Sequence, residues 1–245
     1  MQNELDKLYL EYLDKILSDN EILKEIEENK LSSPQFVDVS TPETKYLTSD
    51  FRIVLVGKET FGWVNPKERE EAGLSNINGK NRKYLEELKR IYKAHNLGHR
   101  DGSTYNSPIF QFIDLLYNII VQKRNVPGMI LTELLRHDYE QSTMPDVLSD
   151  KTMYDNNYIL RKELEILNPN AILFLTGPSY DKYIKHTYPD VVFKDINDFN
   201  KNEFALLEGI PNIEKAFRIY HPGYINRLGR DYKTNLVEQI IKHIY

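Results

Sequence analysis

The 245-residue chain is expected to fold as an α/β protein, with a sheet covered on both faces by helices. Three observations lead there. Ile53–Val56, a β-branched run, and Ala171–Leu175 are short apolar segments of the kind buried on both faces of a parallel sheet. Each runs into a glycine-containing turn, Gly57-Lys58-Glu59-Thr60 and Thr176-Gly177-Pro178. Segments of helical period alternate with these runs, the arrangement that wraps a sheet in helices.

The N-terminus begins the helical pattern. Leu5, Leu8, Tyr12 and Ile16, then Ile22, Leu23 and Ile26, recur at helical spacing, with residues suited to capping between Ser18 and Asn20. Residues 1–50 therefore form a helical N-terminal appendage and a connection, the latter being a polar stretch from Gln35 to Asp50. Residues 51–245 form the α/β domain. Trp63 to Gly79 reads as a loop with a short helix, and Arg82 to Ala94 as a helix with Tyr84, Leu85, Leu88, Ile91 and Tyr92 on one side. Ser107-Pro108 opens a further helix, with proline in its first turn. Met129 to Leu135 is apolar and compatible with a strand or a helix start. Tyr158 to Leu167 and Tyr180 to His186 are helical in pattern, Val191 to Phe193 and Phe217 to Tyr220 are short strands, and Thr234 to Ile244 is a terminal helix.

Composition narrows the function. With no cysteine, disulfides, thiol nucleophiles and thiolate metal sites are excluded. No signal-like or membrane-length apolar stretch occurs, so a cytoplasmic protein with no membrane partner is expected. The formal net charge of −5 is concentrated at the start, where Met1 to Lys30 holds nine acidic and four basic residues. Gly79 to Arg100 carries seven Lys or Arg against two Glu, and Arg218 to Tyr245 five against two acidic residues. A basic face on an acidic protein is compatible with this distribution, as are ordinary solvated helix surfaces.

Two strand ends carry the reactive side chains. Glu59 follows the first strand and His221 ends the Phe217–Tyr220 strand, where Pro222 and Gly223 set a tight turn. The carboxyl ends of parallel strands are where an open α/β sheet places its ligand. Gly57-Lys58-Glu59-Thr60 lacks the upstream glycine of a phosphate-binding loop. No metal-binding motif is present, so neither a metal nor a cofactor is expected. His95, His99, His137, His186 and His243 lie in polar or helical contexts and read as surface residues. Glu59 can equally cap the following turn, His221 can satisfy a backbone carbonyl, and Phe110, Phe112 and Trp63 can serve packing alone.

In the order and spacing of three segments, Gly57-Lys58-Glu59-Thr60, Asn168-Pro169-Asn170 with its strand to Gly177, and His221-Pro222-Gly223, the chain resembles the uracil-DNA glycosylase superfamily from about Phe51 to Tyr245. The resemblance implies a three-layer α/β/α sandwich around a central, mainly parallel four-stranded sheet. It implies hydrolysis of the N-glycosidic bond of a flipped uracil or other damaged base in DNA by a monomer. On that reading Glu59 orients water and stabilises the cationic sugar, while His221 donates to the departing base. Gly57, Lys58, Thr60, Phe61, Phe110, Thr132 and Glu133 would bind substrate. Thr176, Gly177, Pro222, Gly223, Tyr224, Arg227 and Leu228 would face DNA, with an apolar wedge and a phosphate contact after the histidine. The chain departs from the family pattern in having Glu59 for Asp or Asn, Thr60 for a frequent proline and Gly223 for serine. Thr132 and Glu133 stand where a base-reading asparagine is expected. The alternatives are a non-catalytic nucleic-acid or nucleotide-binding protein with the same fold, and a small-molecule hydrolase, for which a Gly-x-Ser-x-Gly nucleophile turn is lacking.

Overall fold

Apolar runs too short for helices pair laterally into one sheet, and the longer periodic segments form helices. The computed structural model describes residues 1–28, 30–40, 45–60, 81–95, 107–123, 125–140, 142, 159–196 and 199–245. Phe61, Trp63 and His99 lie outside the described residues, as does the loop expected from Trp63 to Gly79. The strands are β1 (Arg52–Glu59), β2 (Gly128–Leu135), β3 (Ala171–Phe174), β4 (Val192–Asp195), β5 (Phe204–Glu208) and β6 (Lys215–Ile219). The helices are α1 (Gln2–Ser18), α2 (Asn20–Glu27), α3 (Asn81–His95), α4 (Pro108–Lys123), α5 (residues 159–167), α6 (Asp181–Thr187), α7 (Pro222–Ile225) and α8 (Arg230–Ile244). Short 3-10 turns precede α6 and follow α7.

The sheet runs β2-β1-β3-β6-β5-β4. β1, β3 and β6 are parallel, with Ile53 opposite Ala171 and Ala171 opposite Lys215. β5 pairs antiparallel with both β6 and β4. The four-stranded, mainly parallel sheet expected from sequence is therefore corrected to a six-stranded mixed one. Phe204-Ala-Leu-Leu-Glu208 is hidden in the sequence because it is built largely of residues that favour helices, whereas β4, expected at Val191 to Phe193, is a four-residue, largely exposed edge strand. The apolar segment from Met129, ambiguous by periodicity, is strand β2, buried along its whole length.

The chain divides into two compact units, Met1–Ser40 with Lys58–Ala94 and Thr132–Asn168, and Thr41–Gly57 with His95–Leu131 and Pro169–Tyr245. The division falls within β1 and within β2, after Gly57 and Leu131.

In the first unit, α1 buries Leu5, Leu8, Tyr9, Tyr12, Leu13 and Ile16, the stripe read from its spacing. Tyr9 stacks on Phe36 at 4.4 Å between ring centroids. Asp19 caps α2 by accepting from the backbone N–H groups of Glu21 and Ile22. The start of the polar connection is buried rather than draped over the surface. The Ser32 N–H donates to Asp138 O, Gln35 N–H to Arg136 O, Val37 N–H to the Tyr9 hydroxyl and Val39 N–H to Gln2 Oε1. These bonds satisfy backbone groups that a buried irregular segment would otherwise leave unpaired.

In the second unit, Ile53, Leu55, Leu131, Leu173, Phe217 and Ile219 of the sheet pack with Phe112, Ile113 and Leu116 of α4 and Leu236, Val237 and Ile240 of α8 in one core. Arg218, fully buried, donates to both Asp181 oxygens at 2.9 Å and to the carbonyls of Asn202 and Lys201. Its guanidinium thereby fixes α6 and the β4–β5 connection to the sheet.

Candidate active site

The alternation of side chains along a strand decides which groups can meet at its end. Along β1, Glu59 continues the row of Ile53 and Leu55. Along the neighbouring β2, Glu133 continues the row of Met129 and Leu131. Glu59 and Glu133, both in the first unit, therefore stand on the same side of adjacent strands. Glu59 is half-buried. Glu133 is only 7% exposed, and its Oε2 has no hydrogen-bond partner among the described residues. Burial pushes the Glu133 carboxyl well above the ordinary carboxylate range; the Arg136 charge opposes that shift and the Glu59 charge reinforces it. Lys58 points to the other side of β1, and burial lowers its ammonium despite the adjacent Glu59.

On the side of β2 that carries Thr132, the chemistry is closed. Glu163 Oε1 accepts from the Thr132 hydroxyl at 2.6 Å and from Arg136 Nη2 at 2.8 Å, and its Oε2 accepts from the Tyr9 hydroxyl at 2.5 Å. Arg136 also donates to Thr132 Oγ1 and Gln35 O. Burial first, and then the Glu163 charge, hold the Tyr9 phenol well above its ordinary value, so it remains a donor. Thr132 is thus spent on Glu163. Thr60 is likewise engaged: its hydroxyl donates to Asp138 Oδ2 at 3.0 Å and lies 2.9 Å from the Ser32 hydroxyl.

His137, read from sequence as a surface residue, is fully buried. Its Nδ1 donates to the Ser32 carbonyl at 2.7 Å, which leaves Nε2 to accept from the Tyr12 hydroxyl at 2.9 Å.

The second unit brings together the ends of β3 and β6. Gly177 adopts φ +72 and donates to the Ile219 carbonyl; a Cβ there would lie 3.3 Å from the His221 nitrogen. Only glycine allows so close an approach in that conformation. The neighbouring Thr176 hydroxyl is buried without a hydrogen-bond partner among the described residues. His221 caps α7, its Nδ1 accepting from the Gly223 N–H at 3.1 Å, with Pro222 in the first turn. An Nδ1 that accepts has no proton, so the neutral ring carries its proton on Nε2.

Beyond the histidine, Ile225 is buried and anchors the turn, whereas Tyr224 and Leu228 expose 44% and 39% of their surface beside the exposed Arg227. The Tyr224 ring lies 4.6 Å from that of Tyr220. Phe110 is half-buried and packs against the core of this unit.

Sequence reasoning missed Arg136, Asp138 and Glu163. The signal for the first two was available, since Arg136-His137-Asp138 follows β2 directly as Glu59 ends β1. Glu163 lies between Ile159 and Leu160 on one side and Leu164 and Leu167 on the other, a carboxylate within a buried helical stripe. Among the described residues no group of three or more His, Cys, Asp or Glu side chains is placed to hold a metal ion, and no helix is long and apolar enough to cross a membrane. No protein-family model matches the chain, and no curated protein matches its sequence.

Proposed function

We propose that this chain is a DNA glycosylase-like hydrolase, a three-layer α/β protein of the uracil-DNA glycosylase type, that cleaves the N-glycosidic bond of a flipped uracil or other damaged base. The observation that carries the reading is the state of His221. With Nδ1 occupied by the Gly223 N–H, its Nε2–H is a donor of defined direction at the end of a strand. Such a donor suits the negative charge that develops on a departing base. Glu59, ending β1 and half-buried, supplies a carboxylate to orient water and to stabilise the positive charge on the sugar. Exposed Tyr224 and Leu228 suit insertion beside a flipped nucleotide, and Arg227 suits a phosphate.

The test is base release from oligonucleotides that each carry one uracil, hypoxanthine, xanthine or oxidised base, with wild type beside Glu59→Gln and His221→Ala. Each variant is expected to lose about 100-fold or more in single-turnover rate, the usual weight of a positioned acid, base or oxyanion donor. Variants that cleave as fast as wild type would remove both residues from the chemistry.

A further inference from the structure

We propose that Glu133 is the acid that protonates the departing base, so that the bases cleaved are those that leave after gaining a proton on a ring nitrogen. This inference rests on the glycosylase reading and deepens it by naming a proton donor and a substrate class. Glu133 is buried in β2, one strand from β1, on the side that also carries Glu59, and its Oε2 has no hydrogen-bond partner among the described residues. Structural carboxylates in the same unit look different. Glu163 fills its oxygens with Tyr9, Thr132 and Arg136, and Asp138 accepts from Thr60.

Arg136, a buried cation whose charge acts on Glu133, is committed to Glu163 at 2.8 Å. The neighbourhood of Glu133 thus holds a neutralised ion pair on one side and a second carboxylate, Glu59, on the other. Where the charge of one carboxyl acts on another, the more deeply buried of the two keeps its proton more readily. Glu133 is the deeper of the two, and its burial, reinforced by the Glu59 charge, favours the acid form against the opposing Arg136 charge. Pairs of carboxyls driven apart in this way divide into an acid and a base.

The step balances with water as the only co-reactant. The bond from the anomeric carbon to the base nitrogen breaks and its electron pair goes to the base, which takes the Glu133 proton on a ring nitrogen. Water adds to the anomeric carbon and gives its proton to Glu59. Transfer of that proton back to Glu133 restores the pair. Purine-type bases, with basic ring nitrogens, gain most from this donor. Uracil, which departs as a stabilised anion, gains least.

The experiment compares wild type with E133Q on oligonucleotides containing hypoxanthine or 7-methylguanine, the latter already cationic and in need of no proton. On hypoxanthine, E133Q is expected to lose about 100-fold or more, the low end for a general acid, and the deficit is expected to shrink at least about tenfold on 7-methylguanine. Wild type should lose activity on hypoxanthine as pH rises and Glu133 ionises, under the influence of Glu59 and Arg136, and E133Q should lack that alkaline limb. Infrared difference spectra of wild type minus E133Q at neutral pH should show a protonated-carboxyl band. If E133Q does not fold, E133D, which keeps an acid at a displaced position, should show the same selective deficit.

Equal deficits on both bases, full activity of E133Q, or no protonated-carboxyl band would overturn the donor role while leaving the glycosylase reading in place. No release of any base by folded wild type would overturn the reading and the donor role together.

Discussion

Glu163→Gln should destabilise the protein severely. The Arg136–Glu163 pair is fully buried on both sides, with 2.8 Å between Nη2 and Oε1. Removing the negative partner leaves a guanidinium without its counter-charge, which costs about 3–5 kcal/mol when the pair is buried. Arg136 would retain Thr132 Oγ1 at 2.7 Å and Gln35 O at 3.2 Å, two neutral acceptors that cannot replace a carboxylate. The new amide would also turn an N–H toward either the Tyr9 or the Thr132 hydroxyl, both of which now donate to Glu163. These losses overlap, so the expected total remains about 3–5 kcal/mol rather than the sum of every bond. Against a typical domain stability of about 5–15 kcal/mol that is a large fraction. The assay is urea unfolding followed by circular dichroism, with the slope checked for constancy. Arg136→Met should be destabilising alone but should recover part of the loss when combined with Glu163→Gln, because the buried charge is then gone. A loss below about 1 kcal/mol for Glu163→Gln, the range of an exposed pair, would refute the reasoning.

Two further outcomes follow from individual groups. The Glu133 carboxyl is raised in the folded state, so its contribution to stability is present at acid pH and is lost as pH rises from the ordinary carboxylate range through the raised one. Glu133→Gln should match wild type in urea melts near the acid end and exceed it by about 1–3 kcal/mol at alkaline pH, the scale of an unsatisfied buried group; a difference independent of pH would contradict this. Long-range proton–nitrogen NMR should show the neutral His221 ring protonated on Nε2, and an Nδ1 proton would break the cap on Gly223 described here.

Much of the fold was legible from periodicity. β1, β3 and β6 were marked by runs of apolar residues, although β1 continues through Gly57, Lys58 and Glu59 where a turn was expected, and α1, α3 and α8 were marked by stripes that the structure buries. β5 was not legible, because Phe204-Ala-Leu-Leu-Glu208 owes its extended form to pairing with β4 and β6 rather than to local preference. The buried course of residues 32–39 was hidden for a related reason: polar Ser32, Gln35 and Asp38 look solvent-facing until their partners across the fold are known. At the site, strand-end position singles out Glu59 and His221, which the structure places at the end of β1 and just after β6. It could not distinguish Thr132, turned toward Glu163, from Glu133, turned to the side of Glu59, since adjacent residues differ only in which face of the sheet they take. His137 was misplaced because its buried partners, the Tyr12 hydroxyl and the Ser32 carbonyl, lie more than a hundred residues away in the chain.

The central claim is that this protein releases a base from DNA, and the most direct measurement is product analysis of wild-type protein incubated with the oligonucleotide panel. Mass spectrometry would look for the free base, and alkaline treatment for strand scission at the abasic site. The account predicts both products from at least one damaged base, in equal amounts. Intact oligonucleotides after incubation with demonstrably folded protein would contradict it, and binding without release would identify a nucleic-acid-binding protein instead.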